Sequence, residues 1–145
     1  MEPVFQTAWV NGIDPLLNAG LSIEDAFKRT LDPFRAFMAG RTAPDTFEEL
    51  ANLRPSIALD QPLVDAPLSV LIPSFLLSEI ERAFQIGFLV FLPFLIIDLV
   101  VAAILMSMGM MMVPPAIVSL PFKLGFFVIA DGWSLIAASL VRSYF

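Results

Sequence analysis

The chain has 145 residues, of which 58% are hydrophobic, with mean hydropathy +0.83, net charge −6 and a pI near 4.4. An ordinary soluble domain is about 45–50% apolar, so the excess must be accommodated by lipid or by partner subunits. With no His and no Cys, the chain cannot build a cysteine nucleophile, a Ser-His-Asp triad, a disulfide, or a zinc or haem site from those ligands. Its acidic balance also disfavours nucleic acid, which binds clustered basic surface.

Charge is segregated along the chain. Residues 1–82 hold six of the eight Lys and Arg and twelve of the fourteen Asp and Glu. Beyond them only Asp98, Lys123, Asp131 and Arg142 are ionisable carboxylates or cations. The scattered glycines form no phosphate-binding loop, so neither an enzyme nor a cofactor is expected.

Residues 1–21 mix apolar side chains with the turn formers Gly12, Pro15, Asn18 and Gly20. They lack the basic start and apolar run of a secretory signal peptide. Residues 22–38 read as a helix capped by Ser22, with Glu24 and Asp25 in its first turn. Ile23, Ala26, Phe27, Leu31, Phe34 and Met38 form its apolar stripe, and Pro33 is expected to kink or restart it. Asp45-Thr46-Phe47-Glu48 resembles a capping box opening a short helix to about Leu53. Residues 54–67, with three prolines, read as a loop. The expected division is a polar helical region, 1–68, followed by a long helix and hydrophobic hairpin, 69–145.

A helix is expected from near Ser69 or Pro73 into an apolar run over residues 84–106. Those 23 residues would make a helix of roughly 35 Å, enough for a bilayer core of about 30 Å. Residues 116–140 form a second such run, and residues 107–115, with Gly109, Pro114 and Pro115, read as the turn between them. The fold class is therefore all-α, a membrane-associated helical hairpin preceded by a small helical region.

Asp98, Lys123 and Asp131 lie inside the apolar runs, where a charge costs about 2.5–3.5 kcal/mol at a helix centre. With the turn centred near Met111 and Met112, Lys123 comes nearly level with Asp98, so an ion pair across the hairpin is feasible. Asp131 is too far from Lys123 along one helix and is left to find a partner on another subunit. These charges either fix helix assembly or line an ion or proton path. An intramembrane aspartyl protease is disfavoured, because Asp98 sits in Ile-Ile-Asp-Leu and no Gly-x-Gly-Asp occurs. Met106, Met108, Met110, Met111 and Met112 crowd the turn; such flexible, polarizable side chains pack on varied surfaces. They fit either a pore closure or a packed turn.

Several motifs in order resemble the FliP family. They are Ala83-Phe84-Gln85-Ile86-Gly87-Phe88, then Phe91-Leu92-Pro93-Phe94-Leu95-Ile96-Ile97-Asp98-Leu99-Val100, and Met108-Gly109-Met110-Met111-Met112-Val113-Pro114-Pro115. Ser119-Leu120-Pro121-Phe122-Lys123-Leu124 and Asp131-Gly132-Trp133 complete the pattern. The resemblance implies that residues 1–68 are extracytoplasmic. It also implies a pore subunit of the flagellar type III export gate, a pentamer with FliQ and FliR in the bacterial inner membrane at the flagellar basal body. Unfolded flagellar proteins would pass a gasket formed by Met108, Met110, Met111 and Met112. In that family such helices sit raised from the bilayer plane, packed on partner subunits. The family's signal peptide and two further hydrophobic segments would precede the first residue here, so a late-called start, a split gene or a non-functional truncated copy are alternatives. An ion or proton channel component using Asp98 and Asp131 is the other.

Overall fold

A computed structural model describes residues 2–54 and 62–144. Contacts divide the chain into two units, Met1–Phe84 and Gln85–Phe145, and among the described residues no strand occurs. The long helix α5 spans Leu68–Ser107, starting close to Ser69, one of the two expected starts. The unit boundary falls later, inside that helix and close to the change in charge density near Arg82.

In the first unit α1 (Glu2–Ala8), a π-helical turn (Trp9–Ile13) and α2 (Asp14–Asn18) follow one another. This corrects the reading of residues 1–21 as turn-rich. Gly12 is buried against α3 (Ile23–Arg41), where a Cβ would meet the Thr30 hydroxyl and lie 2.8 Å from the Thr30 backbone nitrogen. Close approach, not a turn, is what requires glycine there. Pro15 sits in the first turn of α2, directly after the π-helical turn. Phe5 stacks edge-on against Phe34 at 5.4 Å.

Ser22 caps α3, its Oγ accepting from the Asp25 N–H at 3.2 Å. The helix runs through Pro33 to Arg41 without restarting; the carbonyl that Pro33 leaves without its helical donor belongs to exposed Arg29, where water can serve it. Helix α4, Pro44–Asn52, is capped at Ala43 with no side-chain bond, so the expected capping box is not formed. Pro44 starts the helix earlier because its fixed φ suits the first position. The Ala43 N–H is instead taken by Ser78 of α5 at 2.9 Å.

Phe47, Ala51, Ala66 and Val70, with Leu50 and Leu63, form this unit's apolar cluster. Beside it Ser74 and Ser78 are buried with their hydroxyls donated to the backbone of α5. Arg41 bonds both carboxylate oxygens of Glu79, at 2.8 and 3.3 Å, the bidentate geometry that makes Arg–carboxylate pairs specific. A short 3-10 turn covers Leu63–Asp65; most of the remaining expected loop lies outside the described residues.

In the second unit, α5 continues to Ser107, α6 spans Pro115–Ile129 and α7 spans Gly132–Arg142. The expected single returning helix is broken, with a 57° bend between α6 and α7. By length and composition α5 can cross a membrane, and the bent pair makes at most one further span.

Gly12→Ala should destabilise the first unit by about 1–3 kcal/mol, the usual range for overpacking a close contact. Hydrogen exchange in the full chain should then show less protection in α1 and α3. Unchanged protection would show that α3 yields to the added methyl at no cost.

Candidate functional site: the hairpin turn and its internal charges

The first arm ends on a defined stop. Gly109 has φ +76°, a left-handed backbone that glycine adopts without penalty. Its N–H donates to the Met106 carbonyl at 3.1 Å, and the Met110 N–H donates to the Leu105 carbonyl at 3.0 Å. These two bonds are the Schellman pattern, which satisfies the last carbonyls of a helix. Pro114 then precedes α6, and Pro115 occupies its first turn. Between these stops Met110 is partly covered, while Met111 and Met112 are 84% and 98% exposed. Met108 is also exposed.

Behind the turn the arms are antiparallel and locked. The Lys123 ammonium donates to Asp98 Oδ2 at 2.6 Å, and the Ser119 hydroxyl donates to Oδ1. Asp98 and Lys123 keep only 31% and 23% of their side-chain surface exposed, and Ser119 is fully buried. Both carboxylate oxygens are thus occupied, which is how a poorly solvated charge is retained in apolar surroundings. Four residues further from the turn on each arm, Phe94 meets Phe127 at 6.0 Å. Nearer the turn Val101 and Leu105 are buried. A wholly apolar groove of about 420 Å³ runs along Ile97, Val101, Leu105, Met108, Val118 and Phe122.

Sequence reasoning named Asp98 and Lys123 but not Ser119 as their partner. The available signal was a serine four residues before Lys123 in an apolar helix, hence on the same face. Asp131, grouped with the other two charges in the sequence, is not brought to them. It is exposed and stands at the corner between α6 and α7. Among the described residues no group of three or more carboxylates or other ligating side chains could hold a metal ion.

An apolar helical hairpin with a charge pair locked inside it and methionines at its tip defines a class of helical protein with membrane-spanning capacity. The FliP family matches residues 1–140, and the chain belongs to that family. Proteins named flagellar biosynthetic protein FliP are similar to it along nearly its whole length. Those of Agrobacterium fabrum and Rhizobium meliloti are 48% and 49% identical over 99% of this chain, and that of Bacillus subtilis is 44% identical over 99%. The chain covers only 59%, 59% and 65% of those relatives, respectively.

Asp98→Ala or Lys123→Ala should each lower the unfolding temperature, by less than loss of a fully buried pair would because both groups keep some solvent. Asp98→Lys combined with Lys123→Asp should recover part of that loss. Thermal unfolding of the detergent-solubilised chain measures it. A double exchange no better than the worse single variant would show that the pair does not hold the arms together.

Proposed function

We propose that this chain is a structural pore subunit of the flagellar type III protein export gate, in the bacterial inner membrane at the flagellar basal body. Unfolded flagellar proteins pass a constriction made by Met108, Met110, Met111 and Met112 from several copies. The observation that carries this reading is the exposure of Met111 and Met112 on a turn whose two ends are firmly stopped. An unbranched thioether can reshape around many passing side chains and return to close the gap. A charged side chain there would hold water and keep the closure from drying. The chain's membership of the FliP family and the names of its relatives agree with a flagellar export role.

Assembly follows from what the surface lacks. Phe84, Phe88, Ile96, Leu99, Ile117, Phe122, Ile129 and Trp133 are all exposed on the isolated chain. So many exposed large apolar side chains mark interaction with protein or membrane. The occupants we assign are four further copies of the chain, FliQ and FliR subunits, and the surrounding membrane.

Replacing Met110, Met111 and Met112 together by Asp should abolish flagellar protein export while the complex still assembles. Secretion of flagellar proteins into the medium measures this, and normal secretion would refute the gasket. Native mass spectrometry of the detergent-extracted complex should show five copies with two other proteins. A lone chain of 15.9 kDa in such an extract would refute the assembly.

A further inference from the structure

The corner between α6 and α7 is built around one residue. Asp131 has φ 48° and ψ 48°, close to the ideal left-handed helical conformation, and among the described residues it is the one non-glycine with positive φ. Its N–H donates to the Val128 carbonyl at 3.1 Å, closing α6, and its carbonyl accepts from the Leu135 N–H at 3.1 Å, opening α7. A left-handed residue commonly ends a helix. Here the next helix starts at once, so Ala130 at φ −78° and ψ 0° and one left-handed residue make the whole turn. The Asp131 side chain, by contrast, makes no cap bond to α7 and is exposed.

Two further features hold the same corner. A Cβ on Gly132 would run into the Phe127 ring, so the backbone there comes too close to that ring for a side chain. Trp133 stacks edge-on against Phe127 at 5.4 Å and 89°, and Phe127 lies 6.0 Å from Phe94 of α5. The corner is therefore tied to the first arm of the hairpin as well as to its own backbone. Without it, residues 116–140 are composed to continue as one apolar helix. Hydropathy does not break the run; the conformation at residue 131 does.

We infer that Asp131 is a positioning residue that acts through its backbone, a left-handed joint that sets the direction of α7, and that its carboxylate is not the group the protein uses. Aspartate suits this because its short polar side chain tolerates left-handed geometry far better than bulky or β-branched residues do. The inference stands apart from the export reading, since its first readout is a distance.

The chain has no Cys, so Ile117→Cys with Ala137→Cys accepts two spin labels on otherwise unlabelled full-length protein in detergent. Pulsed electron spin resonance then reports the angle between α6 and α7 as a label separation. Asp131→Gly and Asp131→Asn should leave the main separation unchanged. Asp131→Val should move population toward a longer, straight-helix separation by up to about tenfold, because a β-branched residue is an outlier in the left-handed region that Asp tolerates. Gly132→Ala should shift it the same way by displacing Phe127. An unchanged separation in both Asp131→Val and Gly132→Ala would overturn the joint. If Asp131→Gly and Asp131→Asn kept the separation yet both lost motility in the cell, the carboxylate would be the working group and the inference would fail.

Discussion

A carboxylate in an apolar helix must be neutralised or removed from apolar contact, and Asp98 is neutralised by the opposite arm. Taking both of its oxygens, by Lys123 and Ser119, fixes more than a charge. It fixes which residue of α6 faces which residue of α5. The same register brings Phe94 to Phe127 further back. The midpoint between Asp98 and Lys123 in the sequence falls at Met110 and Met111, so the tip of the hairpin is set by the lock behind it. Apolar packing alone is not directional and would tolerate a slip of one turn, which would carry different side chains to the tip.

The lock is needed because the second unit has little core of its own. Val101, Leu105 and Ser119 are buried, whereas the large apolar side chains along both arms are mostly exposed. The first unit is different in kind. There, Phe47, Ala51, Ala66 and Val70 cluster, and the Arg41–Glu79 pair and the Ser78 bond to Ala43 tie helices that lie far apart in sequence. One region is organised by its own contacts. The other is organised by one polar lock and two helix stops, and leaves its outer surface for something else to cover.

Much of this was legible in the sequence. Ser22, Glu24 and Asp25 announced the start of α3, and the two apolar runs around Gly109 and Pro114-Pro115 announced the hairpin. What failed were signals that depend on packing. Gly12 and Pro15 read as turn formers, yet Gly12 is there because Thr30 comes close, and Pro15 opens a helix. Pro33 was expected to kink or restart its helix and does not restart it. The bend at Asp131 was missed because hydropathy averages over it. The dipeptide Asp131-Gly132 was the available turn signal, outweighed by the apolar residues around it. The capping box near Asp45 lost to Pro44, one residue earlier, and to a hydroxyl supplied from α5 that no local pattern contains.

The prolines inside the hairpin bear on what covers it. Pro93 and Pro121 each lack the N–H that would serve the carbonyl four residues earlier, which leaves Leu89 and Ile117 without their helical donors. Both residues are exposed on the isolated chain. In hydrocarbon a carbonyl with no donor costs several kcal/mol, whereas neighbouring helices, hydroxyl side chains and held water can serve it. The same holds for the part of the Asp98–Lys123 pair that remains open. An arm facing lipid along its whole length would carry all of these costs together. An arm packed on protein avoids them and can still bury its Phe and Leu side chains. The prolines and the open part of the charge pair are thus the places along this hairpin where direct contact with lipid costs most, although its composition is that of a membrane helix.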